Sequence, residues 1–423
     1  MAVKVTDDRR EDVMEILPDG SLPVTTNPDQ LDAFSNVRTA PPSFVADGQL
    51  TYDLQPIIYE PLTSANGTIA HDATNRCATI SLASASSGEE TYMQSFSHYR
   101  YQAGRGQEIF LTGAAHNLTA NTEAFWRYGD GDNAIEYATN GTLLGSKFTV
   151  RSNTDSGDVP VTSANWNIDP LDGSGPSKRT LDPTKTQIAI FDVQALYVGR
   201  VRCGFDLDGE IIWAHEFYHA NNIAVPYIQT ANLPISAGIR ATDDGASGDM
   251  RFVCSCVLSR GGQERIAGYD FAVSGSRTAA SGARTHLLSI RPKTTFNSIT
   301  NRVEFVLEDI EVLVTGNSPV YWELVLGQAL TTPTYADANA TYSAFEYATA
   351  ETLSGNPGVV FASGYCAASN QTKGVAARSL TNRYPLTLNA GGAVRDMGTL
   401  SLLVTGLGGT SATRAVIKWK ELR

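Results

Sequence analysis

Short runs of alternating apolar and polar residues dominate the chain from about residue 68 onward, and clusters of Gly, Asn, Asp and Ser separate them. Representative runs are residues 76–82, 107–112 and 147–151. Alternation with a period of two over so few residues is typical of a strand that buries one face. The pattern therefore predicts antiparallel sheets throughout this part of the chain.

The clearest pair of runs lies on either side of Asp208-Gly209, at residues 195–207 and 210–218. Asp-Gly between two alternating runs favours a type I′ turn, because the twist of that turn matches the twist of the strands it joins. We therefore expect a hairpin here. A two-residue loop sets three pairs of opposing residues: Phe205 with Ile212, Cys203 with Ala214, and Arg202 with His215.

The first sixty residues differ from the rest of the chain. They are charged at residues 7–12, show little periodicity, and contain six prolines, Pro18, Pro23, Pro28, Pro41, Pro42 and Pro56, with Pro61 directly after them. Such a stretch cannot build a core of its own. It is expected to form an extended arm that lies on a neighbouring subunit, with a disordered tail as the alternative.

A turn-rich stretch at residues 240–249 predicts a domain boundary. Seven runs with strand character follow it: residues 251–258, 285–291, 301–314, 320–326, 358–365, 400–405 and 415–422. A chain of 423 residues is also too long for one ordinary sandwich. The predicted architecture is mainly β, with tandem antiparallel, jelly-roll-like β-sandwich domains. We expect an N-terminal arm at residues 1–62, a first sandwich at 63–240 and a second at 241–423.

Composition and charge exclude several partners. A formal net charge of -12 leaves no cationic surface that would attract nucleic acid. No run reaches the roughly 18 apolar residues that a membrane-spanning helix needs, and the charged N-terminus lacks a signal-peptide core. We expect a soluble chain made in the cytoplasm, without membrane insertion. Its five scattered cysteines are expected to be reduced and mostly buried: Cys77, Cys203, Cys254, Cys256 and Cys366.

One stretch, His215-Glu216-Phe217-Tyr218-His219, matches the H-E-x-x-H signature of zinc metalloproteases. That chemistry needs a helix, because one helical turn brings both imidazoles onto the same face while Glu216 acts as a base on metal-bound water. In a strand, four residues span roughly 13 Å, and the two rings cannot hold one ion.

Three observations favour a strand over a helix at this motif. The Asp208-Gly209 turn pairs the segment with the preceding strand, and Arg202 then lies opposite His215, where its charge would oppose a bound cation. The residues around the motif favour strands: Ile211, Trp213, Phe217 and Tyr218. No further histidine follows His219 at the usual spacing for a third ligand. We therefore expect no metal ligand, no catalytic residue and no cofactor-binding residue in this chain, and we keep a zinc metallohydrolase as the alternative.

Weaker candidates have plainer structural explanations. Cys254 and Cys256 would share one face of a strand, which is more typical of core packing than of a metal clamp. The acidic loops at residues 130–132 and 169–172 lack the regular spacing of a calcium loop, and turn chemistry explains them better. Six aromatic residues could form either a sugar-binding surface or part of the core, and burial is the expectation for them: Tyr99, Tyr101, Phe125, Trp126, Tyr128 and Trp166.

Several unusual strings, in order from residue 32 to the end, together resemble a family of virion structural proteins of tailed bacteriophages. They are residues 32–38, 99–105, 199–205, 215–217 with 220–222, 232–235, 261–262, 288–291 with 296–297 and 300–302, and 419–422. The arm string of that family resembles D-A-F-G-R-L-R-V, from which Ser35, Asn36 and Val37 depart. Ala103 stands where the family usually has proline.

The resemblance implies a non-enzymatic virion component of the tail, neck or fibre apparatus, made in the host cytoplasm and assembling as a symmetric homo-oligomer with other virion proteins. It also implies that the His215-Glu216 pair belongs to a strand and has no protease role. Two alternatives remain open beside the metallohydrolase. One is a capsid decoration protein, and the other is an adsorption protein that binds or cleaves host surface glycan.

Overall fold

The computed structural model describes residues 42–194, 196–230, 232–260, 268–368, 375–383 and 386–423. These residues fold into two β-sandwiches, so the predicted mainly β, jelly-roll-like sandwich class is confirmed. Among them, no helical segment has the length and apolarity that crossing a membrane requires. Most of the predicted N-terminal arm, residues 1–41, lies outside the described residues.

Over the part of the chain described up to Arg260, the first sandwich has seventeen strands: β1 Ser43–Gln49, β2 Tyr59–Leu62, β3 Gly67–Asp72, β4 Cys77–Ala85, β5 Glu90–Ser95, β6 Tyr99–Arg100, β7 Gly106–His116, β8 Thr122–Gly129, β9 Ala134–Thr139, β10 Lys147–Arg151, β11 Val159–Thr162, β12 Thr186–Gln194, β13 Val201–Leu207, β14 Glu210–Phe217, β15 Asn232–Leu233, β16 Ile235–Ala241 and β17 Ala246–Arg260. One sheet has the order β14-β13-β12-β7-β17-β4-β3, with β1 also paired to β17. The other has the order β11-β10-β9-β8-β16-β5-β2, and β6 and β15 form a short ribbon. All pairs are antiparallel.

In the second sandwich, the described residues form twelve strands: β18 Tyr269–Ala279, β19 Thr285–Pro292, β20 Thr295–Phe296, β21 Ile299–Thr300, β22 Glu304–Val314, β23 Val320–Leu326, β24 Ala336–Asp337, β25 Phe345–Thr349, β26 Val359–Cys366, β27 Val375–Arg383, β28 Leu400–Gly406 and β29 Ser411–Leu422. Its sheets have the orders β18-β29-β22-β27 and β24-β25-β19-β28-β23-β26. β20 and β21 form a separate ribbon.

Each sandwich has its own apolar core, built from the inward side chains that alternate along its strands. In the first core, the Tyr137 ring lies 5.4 Å from Trp126 and 4.9 Å from Phe205 between ring centroids. In the second core, the Trp419 ring stacks 6.1 Å from the Phe305 ring. The two cores are separate clusters, which is what two independently packed sandwiches require.

The sheets correct the predicted domain limits at both ends of the first sandwich. β17 pairs with β7 and β4, so the boundary lies after Arg260 and not at residue 240. The turn-forming residues there are real, with Gly245 at φ 78°, but they join two strands of the same sandwich. Part of the predicted arm, residues 43–62, also belongs to the first sandwich as β1 and β2. Pro61 is compatible with β2 because that strand lies at a sheet edge.

The predicted hairpin is present. Asp208 and Gly209 have φ angles of 61° and 84°, as a type I′ turn requires, and Phe205 lies opposite Ile212. Farther from the turn than the Phe205–Ile212 pair, the expected register was wrong. A bulge between Cys203 and Gly204 places Cys203 opposite His215. Arg202 consequently lies opposite Glu216 and not His215. Gly204 permits the bulge, since a Cβ there would lie 2.3 Å from the Ile212 carbonyl oxygen.

We expect Gly209→Ala to lower the free energy of unfolding of the first sandwich by about 1 kcal/mol, because an L residue is strained at positive φ. An added Cβ at this position would meet no neighbouring atom, so the effect isolates backbone strain. Gly131→Ala is the matched control, since Gly131 also has open space around it but no positive φ. Urea denaturation of both variants measures the difference, and equal stability of the two would contradict the turn assignment.

Candidate functional site

The H-E-x-x-H motif begins on β14, an extended edge strand, so the sequence prediction of a strand at His215 and Glu216 is confirmed. The loop at residues 167–169 covers the open edge of this strand. Asn167 exchanges two hydrogen bonds with the Glu216 backbone, at 2.9 and 2.8 Å, and its own N–H donates to His215 Nδ1 at 3.2 Å. The N–H groups of Ile168 and Asp169 both donate to the Ala214 carbonyl oxygen. His215 is thus part of an edge cap.

His219 lies beyond the end of β14 and has partners of its own. Its Nδ1–H donates to the Gly199 carbonyl oxygen at 2.7 Å, and its ring stacks 4.1 Å from Tyr227. Burial lowers the pKa of His219, and it lowers the pKa of His215 to about 4. Both imidazoles are therefore neutral at physiological pH. Among the described residues, no group of three or more His, Cys, Asp and Glu side chains is placed to hold a metal ion.

A charged cluster lies on the face of β8, β9 and β16 that points away from the first core. We call Glu90, Glu123, Arg127, Glu136, Arg151 and Arg240 the arginine–glutamate cluster. Its centre is the fully buried Glu136 carboxylate, which lies 2.9 Å from Arg127, 3.0 Å from Arg151 and 2.7 Å from Arg240. Burial alone would raise the pKa of Glu136, but the three guanidinium groups outweigh it and hold that pKa well below its usual range. Glu136 cannot act as a general acid near neutral pH.

The other sheet of the first sandwich has a second set of buried carboxylates on its outer face. Glu108 and Asp192 lie directly opposite each other on β7 and β12. Arg260 pairs with Glu108, and Arg202 donates from Nε to Asp192 at 3.0 Å. Two adjacent carboxylates are the arrangement that a glycosidase needs, but these two are buried and bound to arginines. They match the pattern of structural ion pairs.

In a buried Ser-His pair of the second sandwich, the hydrogen bond runs in the wrong direction for the histidine to act as a base on the serine. His286 Nδ1 accepts a hydrogen bond from the Glu351 N–H at 2.9 Å, so the ring proton lies on Nε2. Nε2–H therefore donates to Ser289 Oγ at 2.6 Å, and Ser289 is bonded in turn to Ser401 at 2.6 Å. A general base would need the opposite direction, with its lone pair facing the serine. The trio is also buried, and it crosslinks β19 and β28.

The remaining sequence candidates occupy structural positions. The six aromatic residues considered for a sugar-binding surface are all buried, as expected for core residues: Tyr99, Tyr101, Phe125, Trp126, Tyr128 and Trp166. Asp130, Asp169 and Asp172 each accept hydrogen bonds from backbone N–H groups of their own turns. Cys254 and Cys256 are half-buried free thiols on β17, and burial raises the pKa of Cys256 to about 11. That thiol is protonated at neutral pH.

The two sandwiches meet at a polar seam that sequence reasoning did not identify. Asn232 of the first sandwich donates from Nδ2 to the Arg302 carbonyl oxygen at 3.0 Å. The N–H of Ala390 donates to the Glu60 carboxylate at 2.7 Å. The Arg302 guanidinium donates to the carbonyl oxygens of Asn389 and Ala390. The loop at residues 389–390 is therefore bonded to the first sandwich through Glu60 and to the second through Arg302. These contacts fix one sandwich against the other.

A cavity of about 250 Å³ opens at this seam and is lined by His98. Beside it, Arg395 of the second sandwich donates to the Ile57 carbonyl oxygen at 3.3 Å, and its guanidinium lies 3.9 Å above the Phe96 ring. Burial lowers the pKa of His98 to about 3, and the Arg302 charge adds to the effect. His98 Nδ1 lies 3.3 Å from the Phe96 carbonyl oxygen, while Nε2 has no partner among the described residues. Nε2 can accept one hydrogen bond from the contents of the cavity.

The edges of the four large sheets differ in how they are protected from further pairing. Most have a feature known to block strand addition: a proline in β2 and β11, the loop cap on β14, or a charged residue in β1, β3, β18 and β24. Among the described edge strands of these sheets, β26 has neither a proline nor a charged residue. Its exposed side chains are apolar or aromatic, with Val359 51%, Val360 39% and Tyr365 73% exposed.

Comparisons with known proteins give no family assignment. No family model matches the chain, and no curated protein matches it. Solved structures similar to about half of the chain include a Bacillus licheniformis β-glucanase, at 11% identity and TM-score 0.34, covering 52% of this chain and 98% of that one. An apo Crh5 transglycosylase, at 9% identity and TM-score 0.33, covers 53% and 89%. The potassium-bound Emp46p carbohydrate recognition domain, at 8% identity and TM-score 0.30, covers 50% and 94%. Similarity this low carries no functional inference.

We expect Glu136→Gln to lower the free energy of unfolding at pH 7 by about 3 kcal/mol, because it leaves buried arginines without their shared carboxylate. In the wild-type protein, the stability contributed by ionised Glu136 is complete above the ordinary glutamate pKa of 4.5. It is lost as the pH falls toward the lower pKa that Glu136 has in the folded state. The difference between the two proteins should therefore shrink on acidification. Denaturation between pH 7 and pH 3 tests this, with Glu311→Gln at a partly exposed ion pair as the control. A difference independent of pH would contradict the assignment.

Protein purified in the presence of zinc should contain no stoichiometric metal, because among the described residues no group of three or more ligand side chains is placed to hold an ion, at His215 and His219 or elsewhere. Inductively coupled plasma mass spectrometry after dialysis measures this. His215→Ala is the comparison variant. Stoichiometric zinc that is lost in His215→Ala would instead establish the metallohydrolase alternative.

Proposed function

We propose that this chain is a non-enzymatic structural component of a tailed-bacteriophage particle, in the tail, neck or fibre apparatus, and that it assembles as a symmetric homo-oligomer. The strings at residues 99–105, 199–205 and 419–422, among others, resemble virion structural proteins and suggest the compartment. Its partners are further copies of itself and other virion proteins.

The observation that carries the proposal is the exposed apolar surface of β26, an edge strand without proline or charge. A chain that works as an isolated monomer rarely exposes several apolar side chains on one uncharged strand, because such a surface recruits other chains. Val360 and Tyr365 remain exposed on β26. An edge of this kind is suited to a protein that functions in contact with other subunits.

The electrostatics of the first sandwich support a structural role over an enzymatic one. Glu136, Glu108 and Asp192 are buried and paired with arginines, so none of them presents a solvent-facing carboxylate for acid–base chemistry. The aromatic residues considered for glycan binding are buried. A capsid decoration protein remains an alternative within the same structural class.

We expect the molar mass of the purified chain to rise with concentration, because uncharged edge strands pair when subunits are abundant. Multi-angle light scattering across a wide concentration range measures the mass. Antibody labelling of intact particles in the electron microscope then locates the chain on head, neck, tail or fibre. A monomer at every concentration, together with absence from purified particles, would refute the proposal.

A further inference from the structure

The cavity at the seam is built by both sandwiches. Ile57, Ile58 and His98 line it from the first sandwich, and Phe305 and Thr387 line it from the second. Its volume of about 250 Å³ exceeds the roughly 150 Å³ of a dry cavity that holds benzene. Concave spaces between domains are also places where small molecules commonly bind. The cavity is therefore large enough for one ring that carries a substituent.

His98 offers this cavity a hydrogen-bond acceptor. The side chain is buried, and its Nδ1 lies 3.3 Å from the Phe96 carbonyl oxygen. A carbonyl oxygen only accepts, so the ring proton lies on Nδ1 and the lone pair on Nε2. Burial lowers the pKa of His98 to about 3, which keeps the ring neutral at physiological pH. Nε2 has no partner among the described residues, so a donor from a bound molecule would satisfy a buried polar atom.

The charges around the cavity favour a neutral molecule. Asp47 and Glu304 contribute carboxylates to its wall, and Arg302 contributes a guanidinium that already donates to two backbone carbonyl oxygens. An anion would meet the carboxylates, and a cation would meet the guanidinium. Water alone fills such a space poorly, because each buried water needs about three hydrogen bonds and most of this wall is apolar.

We propose that the cavity binds a small neutral molecule with a ring-sized apolar body and a hydroxyl or N–H group that donates to His98 Nε2. The apolar body contacts Ile57, Ile58 and Phe305. The Thr387 hydroxyl, which also has no partner within the described part of the chain, can donate or accept a second hydrogen bond. Because both sandwiches form the wall, a bound molecule stabilises their relative position. The site is independent of the assembly proposed above.

Phenol and toluene are the probes, since they have nearly the same shape and differ by a hydroxyl and a methyl group. Isothermal titration calorimetry of the full chain measures the dissociation constant of each. His98→Leu should lower the ratio of phenol affinity to toluene affinity about fivefold or more, because it removes the acceptor and nearly keeps the side-chain volume. His98→Gln retains an acceptor oxygen and should preserve that ratio.

His116→Leu is the matched control, because His116 is partly exposed, pairs with Asp249 and does not line the cavity. It should leave the affinity ratio at the wild-type value, and circular dichroism checks that each variant folds. Crystals of the wild-type protein grown with 4-bromophenol locate the molecule by the anomalous scattering of bromine, without any variant. We expect that signal in the cavity.

Four results would each overturn the inference: a wild-type protein that does not bind phenol, an affinity ratio that His98→Leu leaves unchanged, equal losses in His98→Leu and His98→Gln, or bromine found only outside the cavity. None of them bears on the proposed assembly, which light scattering and particle labelling test separately.

Discussion

The architecture depends on one constraint: every strand must pair its backbone N–H and C=O groups with a neighbour or leave them at an edge. In both sandwiches, the interior strands of each sheet satisfy this constraint by antiparallel pairing. The edge strands differ from one another in what covers their outer side. At β14, the side chain of Asn167 imitates a neighbouring strand and closes the ladder. β26 instead has neither proline nor charge and exposes Val359 and Tyr365.

Several buried titratable groups of the described residues stabilise the sheets through ion pairs and hydrogen bonds. Carboxylates that face away from the first core, such as Glu136 and Asp192, are buried under the side chains of arginines on adjacent strands. Each guanidinium covers the sheet with its aliphatic part and neutralises a carboxylate with its head. The sheet surface is thereby shielded from water and held rigid. In the second sandwich, the His286–Ser289–Ser401 chain links strands in a comparable way with neutral groups.

Local features were predictable from the sequence, whereas features that depend on distant residues were not. The Asp208-Gly209 hairpin and the strand at His215 follow from turn chemistry and alternation. The bulge beyond Gly204 was missed because it accompanies the docking of residues 167–169 on Ala214, a contact that no local pattern reveals. The domain boundary was misplaced because the turn after Ala241 resembles a linker although it joins strands of one sandwich. The uncharged character of β26 is visible in the sequence, but its edge position is a property of the whole sheet order.

The seam between the sandwiches has a mechanical consequence. Its contacts at Asn232, Glu60 and Arg395 lie far in sequence from the covalent connection that follows Arg260. A pulling force applied to one sandwich is therefore shared by several bonds acting side by side, and it does not fall on a single stretch of backbone. Separating the two sandwiches therefore requires these bonds to break together.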